Sequence, residues 1–167
     1  VDKRKFKDTN VSLLGLGTMR LPCETEQKRE SNPNIDYDKA QSLVDLAYKN
    51  GVNYFDTAYM YHCGKSEAFI GCALNKYPRD TYFIADKLPI WLCDTKEDMK
   101  LVFDEQLERT GMDYFDFYLL HSLDNENFEK CEKFYAYDFL KKMQKEGKIK
   151  YIGFSFHGTV DDLRNIV

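Results

Sequence analysis

Short apolar runs and helical patterns alternate along this chain, and this alternation restricts the fold more than any other feature. Five nearly continuous hydrophobic runs are predicted to be strands. They are residues 12–19, 52–56, 81–85, 114–120 and 151–156. Helices are predicted after them, at residues 36–50, 66–75, 96–109, 137–145 and 160–167. Buried strands that are each followed by a helix are typical of a parallel sheet in an α/β protein.

Two architectures produce this order: a doubly wound open sheet, or part of an eight-stranded barrel. The first turn, GLGTMR at residues 15–20, lacks the third glycine of the dinucleotide-binding GxGxxG pattern, which disfavours a Rossmann turn. A whole barrel requires at least about 200 residues, and this chain has 167.

Both architectures stay open on these patterns, and in either case we expect a single domain of five β/α units over residues 1–167. An N-terminal β-hairpin within residues 1–10 would precede these units. The polar stretch at residues 23–34 is predicted to be a long exposed loop.

Composition excludes several classes of function. The formal net charge is −4 and no basic stripe follows a predicted helix, so nucleic-acid binding is not expected. No apolar run approaches the ~20 residues of a membrane span, and no secretory signal is visible. The five cysteines are scattered without a CxxC pair, which indicates free thiols in a reducing cytosol rather than disulfides or a local metal site. We therefore expect a cytoplasmic protein.

Polar side chains follow three successive predicted strands. Asp56 and Tyr61 lie in the segment NYFDTAYMYHCG at residues 53–64, Lys87 follows the third strand, and His121 follows the fourth. The carboxyl ends of parallel strands meet at one edge of a sheet or barrel, where catalytic groups are usually found. The sequence therefore predicts that these four side chains converge into a proton-donating site with a charged partner.

Three residues near Tyr61 offer competing interpretations. Tyr59 lies two residues earlier and could be the functional phenol, although the spacing favours Tyr61. His62 and Cys63 could suggest a metal or thiol site. Because they are adjacent, their side chains point apart, and we expect no metal ligands in this chain.

Five stretches together resemble the aldo-keto reductases. They are LGLGTMRLP (14–22), GVNYFDTAYMYHCGKSE (51–67), IADKLP (84–89), DEQLERTGMDYFDFYLLHSL (104–123) and EGKIKYIGFSFHG (146–158). KLPIWL (87–92) and GFSFH (153–157) are most similar to the subgroup that carries a C-terminal ferredoxin-like iron–sulfur extension. Any such extension, and its cluster, would lie beyond residue 167.

This resemblance implies that the chain forms the first five β/α units of a TIM (β/α)8 barrel and lacks the C-terminal part of that barrel. It also implies an enzyme that reduces aldehydes or ketones with hydride from NADPH or NADH. Tyr61 would give the proton to the carbonyl oxygen. An ammonium group favours the phenolate form of a neighbouring tyrosine, so Lys87 would make Tyr61 a usable acid. Asp56 would keep Lys87 charged and oriented, and His121 would donate a hydrogen bond to the substrate or relay a proton.

The same resemblance assigns the remaining contacts. Ser155 matches a serine that holds the nicotinamide carboxamide, although Phe156 stands where the family usually has Asn, and Asp86 stands where it usually has Thr. The expected cofactor-binding residues are Gly17, Thr18, Met19, Asp56 and Ser155. The expected pocket for a small carbonyl substrate consists of Trp91, Met19 and His157.

Two other classes of function stay open at this point. One is a non-catalytic barrel fragment that serves as a binding or subunit module. The other is a hydrolase or lyase, which would need paired carboxylates at strand ends, and here only Asp86 near Asp56 offers them. We also expect the isolated 167-residue chain to have little or no activity. It is expected either to self-associate through an open edge at residues 151–156 or to belong to a longer chain whose remaining residues are not included.

Overall fold

The computed structural model describes residues 1–25 and 34–167, and the chain begins with a β-hairpin. Strands β1 (Lys3–Phe6) and β2 (Thr9–Ser12) pair antiparallel, with Lys3 opposite Ser12. This confirms the predicted hairpin. The predicted loop at residues 23–34 lies mostly outside the described residues, apart from an antiparallel bridge between Cys23 and Ile35.

Five further strands form one sheet in the order β3–β4–β5–β6–β7. They are β3 (Leu16–Gly17), β4 (Tyr54–Asp56), β5 (Phe83–Leu88), β6 (Phe115–Leu123) and β7 (Ile149–Phe156). β3 with β4, β4 with β5, and β6 with β7 pair in parallel. The predicted parallel α/β architecture is therefore confirmed.

Helices follow each of the five parallel strands in the chain. They are α1 (Tyr37–Lys49), α2 (Lys65–Leu74), α3 (Asp98–Thr110), α4 (Asn125–Phe134), α5 (Ala136–Lys145) and α6 (Val160–Ile166). Asp36 caps α1 by accepting a hydrogen bond from the Lys39 N–H at 3.1 Å. Thr159 and Asp162 form a reciprocal capping box at α6. None of the helices in the described part of the chain is long and apolar enough to cross a membrane.

Several predicted boundaries were wrong. The single strand expected at residues 12–19 is split between β2 and β3, and α4 lies in a stretch expected to be a loop. β5 and β6 continue past their predicted ends, so Lys87 and His121 lie inside strands rather than after them. In β6 the reason is continued pairing, since the register with β7 extends to Leu123 opposite Phe156.

Two compact units divide the chain. The first comprises Val1–Ala85 with Arg109–Met112, and the second comprises Asp86–Glu108 with Asp113–Val167. Fully buried Phe55, Phe69 and Ile70 belong to the core of the first unit. In the second unit, Phe103 makes edge-to-face contacts with Phe115 and Tyr118, at centroid distances of 5.8 and 4.9 Å.

Candidate active site

The end of β4 is fixed by a chain of buried hydroxyl groups in the first unit. Thr18 Oγ1 donates to the Asp56 carbonyl at 3.0 Å, and Ser66 Oγ donates to Thr18 Oγ1 at 2.6 Å. Thr57 Oγ1 lies 2.9 Å from Ser66 Oγ. Each hydroxyl has one proton to give, so the direction follows: Thr57 donates to Ser66, Ser66 to Thr18, and Thr18 to Asp56. The chain joins the ends of β3 and β4 and the start of α2 at the backbone of Asp56.

Backbone contacts place three predicted cofactor-binding residues beside this strand end. Gly17 is the register partner of Asp56, and the Thr18 N–H donates to the Asp56 carbonyl at 2.9 Å. Thr18 is fully buried, while Met19 remains 39% exposed. A Cβ at Gly17 would meet nothing within 4 Å, so the surface above this position is open to a ligand.

Tyr61 lies on an irregular loop that follows Asp56. It begins a short 3₁₀ helix (Tyr61–Gly64), and its N–H donates to the Ala58 carbonyl at 3.1 Å. The next two residues, His62 and Cys63, have φ values of 52° and 56°. Non-glycine residues adopt this left-handed region at a cost of roughly 1–3 kcal/mol, so surrounding contacts must hold them there.

His62 supplies one of those contacts. Its ring is fully buried, and its Nε2 accepts the Leu21 N–H at 3.2 Å. An imidazole nitrogen that accepts carries no proton, so the ring proton lies on Nδ1, which is 3.8 Å from Cys23 Sγ. His62 therefore anchors the Tyr61 loop to the segment after β3. Within residues 1–25 and 34–167, no group of three His, Cys, Asp or Glu side chains is arranged to hold a metal ion.

In the second unit, Lys87 lies near the end of β5 and is only 4% exposed. Its N–H donates to Asp86 Oδ1 at 2.8 Å, and its carbonyl accepts Gln106 Nε2 at 3.1 Å. Tyr118 OH in turn donates to Gln106 Oε1. These buried bonds link α3 and β6 to the backbone of Lys87 and fix the position from which its side chain starts.

His121 lies in β6 in a largely apolar environment. Its ring centroid is 5.0 Å from that of Trp91, and the residue is 9% exposed. Burial lowers the pKa of His121 to about 3, and the positive charges of Lys87 and His157 act in the same direction. His121 is therefore neutral at physiological pH and can donate one hydrogen bond without carrying charge. Trp91 itself is 36% exposed, on a 3₁₀ helix (Ile90–Leu92).

Ser155 lies in β7 beside an irregularity in β6. Its Oγ accepts the Ser122 N–H at 2.6 Å. Ser122 has a φ of 55°, and the β6–β7 register shifts between Leu120 and Leu123. The bond leaves the hydroxyl proton of Ser155 to donate elsewhere, as the carbonyl oxygen of a carboxamide would require.

The predicted site residues divide between the two compact units. Gly17, Thr18, Asp56 and Tyr61 lie in the first unit. Lys87, Trp91, His121, Ser155 and His157 lie in the second. Convergence of all four predicted catalytic residues stays a prediction.

The family model for the aldo/keto reductase family matches residues 13–166, nearly the whole chain. The chain belongs to the aldo/keto reductase family. It is 31% identical over 162 residues to an aldo-keto reductase of Gibberella moniliformis, covering 93% of this chain and 46% of that protein. It is 32% identical over 120 residues to the glyoxal reductase of Bacillus subtilis, covering 70% of this chain and 40% of that protein.

A solved structure shows the same fold. A thermostable aldo-keto reductase, crystallised with the inhibitor epalrestat, superposes with a TM-score of 0.75 at 24% identity, over 99% of this chain and 57% of that one. This likeness confirms the first five β/α units of the TIM barrel. The chain spans less than half the length of the two curated relatives named above. An iron–sulfur extension stays a prediction.

Sequence reasoning missed several residues that shape the site in this aldo-keto reductase. Ser66 and Gln106 relay hydrogen bonds to the backbone of Asp56 and Lys87, and Glu67 is a fully buried carboxylate paired with Arg109. Glu67 lies in the first turn of α2, where an acidic side chain is usually explained by the helix dipole. Its partner lies 42 residues later, so the local sequence carries no signal for the pair.

Proposed function

We propose that this chain forms the proton-donating part of a reductase that converts small aldehydes or ketones to alcohols with NADPH or NADH. Membership of the aldo/keto reductase family over residues 13–166 carries the proposal. The glyoxal reductase among the relatives makes a small dicarbonyl a suitable first substrate to test.

Tyr61 is the proposed acid. A carbonyl that accepts hydride at carbon develops negative charge at oxygen and needs a proton there. The Tyr61 phenol is half-buried on a loop that the hydroxyl chain and His62 hold next to the end of β4. A fixed donor avoids the entropy cost of orienting a mobile side chain during each turnover.

Lys87 and Asp56 are proposed to tune this acid. The β4–β5 register pairs Asp56 with Ala85, two residues before Lys87 on the same strand. A carboxylate near an ammonium keeps it charged, and the ammonium stabilises the phenolate that remains after proton transfer. The buried bonds around the Lys87 backbone support this role, because they limit where the ammonium can go.

His121 is proposed to orient the substrate rather than to act as a charged acid. Its lowered pKa, about 3, keeps the imidazole neutral over the physiological range. A neutral imidazole can still donate one N–H to the carbonyl oxygen. Trp91, whose ring lies beside His121, would form an apolar wall of the substrate pocket with Met19 and His157.

The nicotinamide would supply hydride when bound. Ser155 is proposed to hold its carboxamide, since the Ser122 N–H occupies one acceptor site of Oγ and leaves the O–H to donate. Gly17, Thr18, Met19 and Asp56 would contact the cofactor at the ends of β3 and β4. Phe156 offers no side-chain hydrogen bond where the family usually has Asn, so Ser155 would carry this contact alone.

The test is the absorbance of NADPH or NADH in the presence of glyoxal, with the intact protein that carries this sequence. Tyr61→Phe is expected to lower kcat about 10²–10⁴-fold and to leave nicotinamide affinity, measured by fluorescence titration, unchanged. Tyr59→Phe is expected to retain most of kcat, because that variant keeps the ring and removes only the competing phenol.

Two results would contradict the proposal. Equal loss of nicotinamide binding and turnover in Tyr61→Phe would give Tyr61 a structural role. A large loss in Tyr59→Phe with an active Tyr61→Phe would move the donor to Tyr59.

A further inference from the structure

A buried ion pair lies beneath the loop that carries Tyr61. The Glu67 side chain is fully buried in the first turn of α2, and its Oε2 is 3.0 Å from Nη1 of Arg109, whose side chain is 27% exposed. A carboxylate buried to this extent requires a close cationic partner. Glu67 therefore holds the guanidinium in one place.

The backbone brings this arginine into position. Arg109 lies in the last turn of α3, next to Thr110. A Cβ at Gly71 of α2 would lie only 2.0 Å from the Thr110 carbonyl oxygen, so the two helices meet backbone to backbone at this point. Such a close approach leaves little freedom for Arg109 to shift relative to α2.

The same guanidinium contacts the Tyr61 loop at Tyr59 and lies close to Gly64. Its central carbon lies 4.2 Å from the centroid of the Tyr59 ring. A Cβ built on Gly64 would be 3.4 Å from Arg109 Nη1. Tyr59 precedes Tyr61 by two residues and Gly64 follows it by three, so Arg109 lies near the loop both before and after Tyr61. Gly64 has a φ of 84°, which favours glycine at this contact.

We propose that Arg109, with Glu67 as its counter-ion, is a positioning residue that sets the orientation of Tyr61 through Tyr59 and Gly64. This inference rests on the proposed role of Tyr61 as the proton donor. Arg109 acts through the loop, and its planar guanidinium suits this task, since it can pair with a carboxylate and stack on an aromatic ring simultaneously. A lysine would keep the charge opposite Glu67 and lose the flat face.

The test compares Arg109→Lys with wild type in the intact reductase. Misplacement of a reacting group by about 1 Å can cost about 10²-fold in rate, so we expect kcat to fall about 10- to 100-fold while nicotinamide affinity stays within about twofold. Arg79→Lys is the matched control, because Arg79 also lies over a tyrosine ring, that of Tyr82 at 5.0 Å. It is expected to retain wild-type kcat.

A double-variant comparison separates positioning from a general loss of stability. If Arg109 acts through Tyr61, Arg109→Lys adds no further loss of kcat in a Tyr61→Phe background. The same fold-loss in both backgrounds would overturn the proposal. An unchanged Tyr61→Phe single variant would instead refute the assignment of Tyr61 as the donor, which is a different result.

If Arg109→Lys fails to fold, Tyr59→Leu tests whether Arg109 positions Tyr61 through the loop. It removes the ring beneath the guanidinium and leaves the ion pair with Glu67 in place. A folded Tyr59→Leu protein with kcat reduced at least about tenfold supports positioning through the loop. Wild-type kcat in that variant would refute it.

Discussion

The backbone around Tyr61 is irregular, with His62 and Cys63 both at positive φ, whereas His121 and Ser155 lie within parallel strands of the second unit. Side chains hold the first region: the hydroxyl chain through Ser66 and the ring of His62. Backbone pairing between β6 and β7 holds the second. We therefore expect the stability of the first region to depend on the loss or gain of single side-chain atoms, and that of the second region on changes in charge and burial.

The largest expected effect concerns His121 and the pH dependence of stability. An unperturbed histidine has a pKa of 6.5, and burial lowers that of His121 to about 3 in the folded state. Between these values the unfolded state binds the additional proton, so the free energy of unfolding decreases as pH falls from 6.5 towards 3 and levels off below that. The contribution is on the order of 3–5 kcal/mol, at about 1.4 kcal/mol per pKa unit.

Urea unfolding at several pH values between 4 and 7, as rough limits, would measure this contribution. His121→Gln cannot titrate in this range, so its stability should depend less steeply on pH than that of the wild type. If the stabilities of the wild type and His121→Gln depended on pH in the same way, burial would not shift the pKa of His121. A pKa of His121 close to 6.5, measured by NMR titration, would show the same.

A smaller effect is expected from filling the contact between α2 and Thr110. Gly71→Ala places a Cβ where the Thr110 carbonyl lies, and we expect a loss of about 1–3 kcal/mol in the free energy of unfolding, although Ala favours helices over Gly by about 1 kcal/mol. Gly17→Ala is the control, because its Cβ would meet nothing within 4 Å. Denaturant unfolding of both variants measures the difference, and equal stability would mean that the helices can separate without cost.

The smallest effect is expected from the hydroxyl chain. Ser66→Ala removes the link between Thr57 and Thr18 in a fully buried position, and should lower the free energy of unfolding by about 1–2 kcal/mol. Ser42→Ala removes a hydroxyl that bonds the Asp38 carbonyl on the exposed face of α1, and should change stability by less than about 0.5 kcal/mol. Similar thermal melting temperatures for the two variants would mean that the buried hydroxyl chain stabilises the protein no more than an exposed hydroxyl does.

Local sequence signals predicted much of the fold. The alternation of strands and helices predicted the parallel sheet and five of the six helices found in the described residues. Either Asp36 or Asp38 could begin the first helix on the sequence alone, and Asp36 is the residue that caps α1. The missed helix, α4, also carries a signal, because Asp124 caps it and buried Cys131 and Phe134 lie three residues apart. Its sequence, NENFEKCEKF, is strongly polar, so the apolar pattern of a helix is weak there.

The strand ends could not be predicted in the same way. Polar residues such as Lys87 and His121 usually mark the end of a buried strand, yet here β5 and β6 continue through them. For β6, pairing with β7 provides backbone partners up to Leu123. The extent of a strand depends on its neighbour as well as on its own residues.

The sequence by itself determined the family, the order of the elements and the candidate residues Asp56, Tyr61, Lys87 and His121, because these follow from patterns along the chain. Only the tertiary structure decided that His62 anchors a loop and that Glu67 pairs with Arg109. Those contacts join positions 41 and 42 residues apart. Their free energy depends on burial and distance, which the folded chain creates and no local stretch of sequence contains.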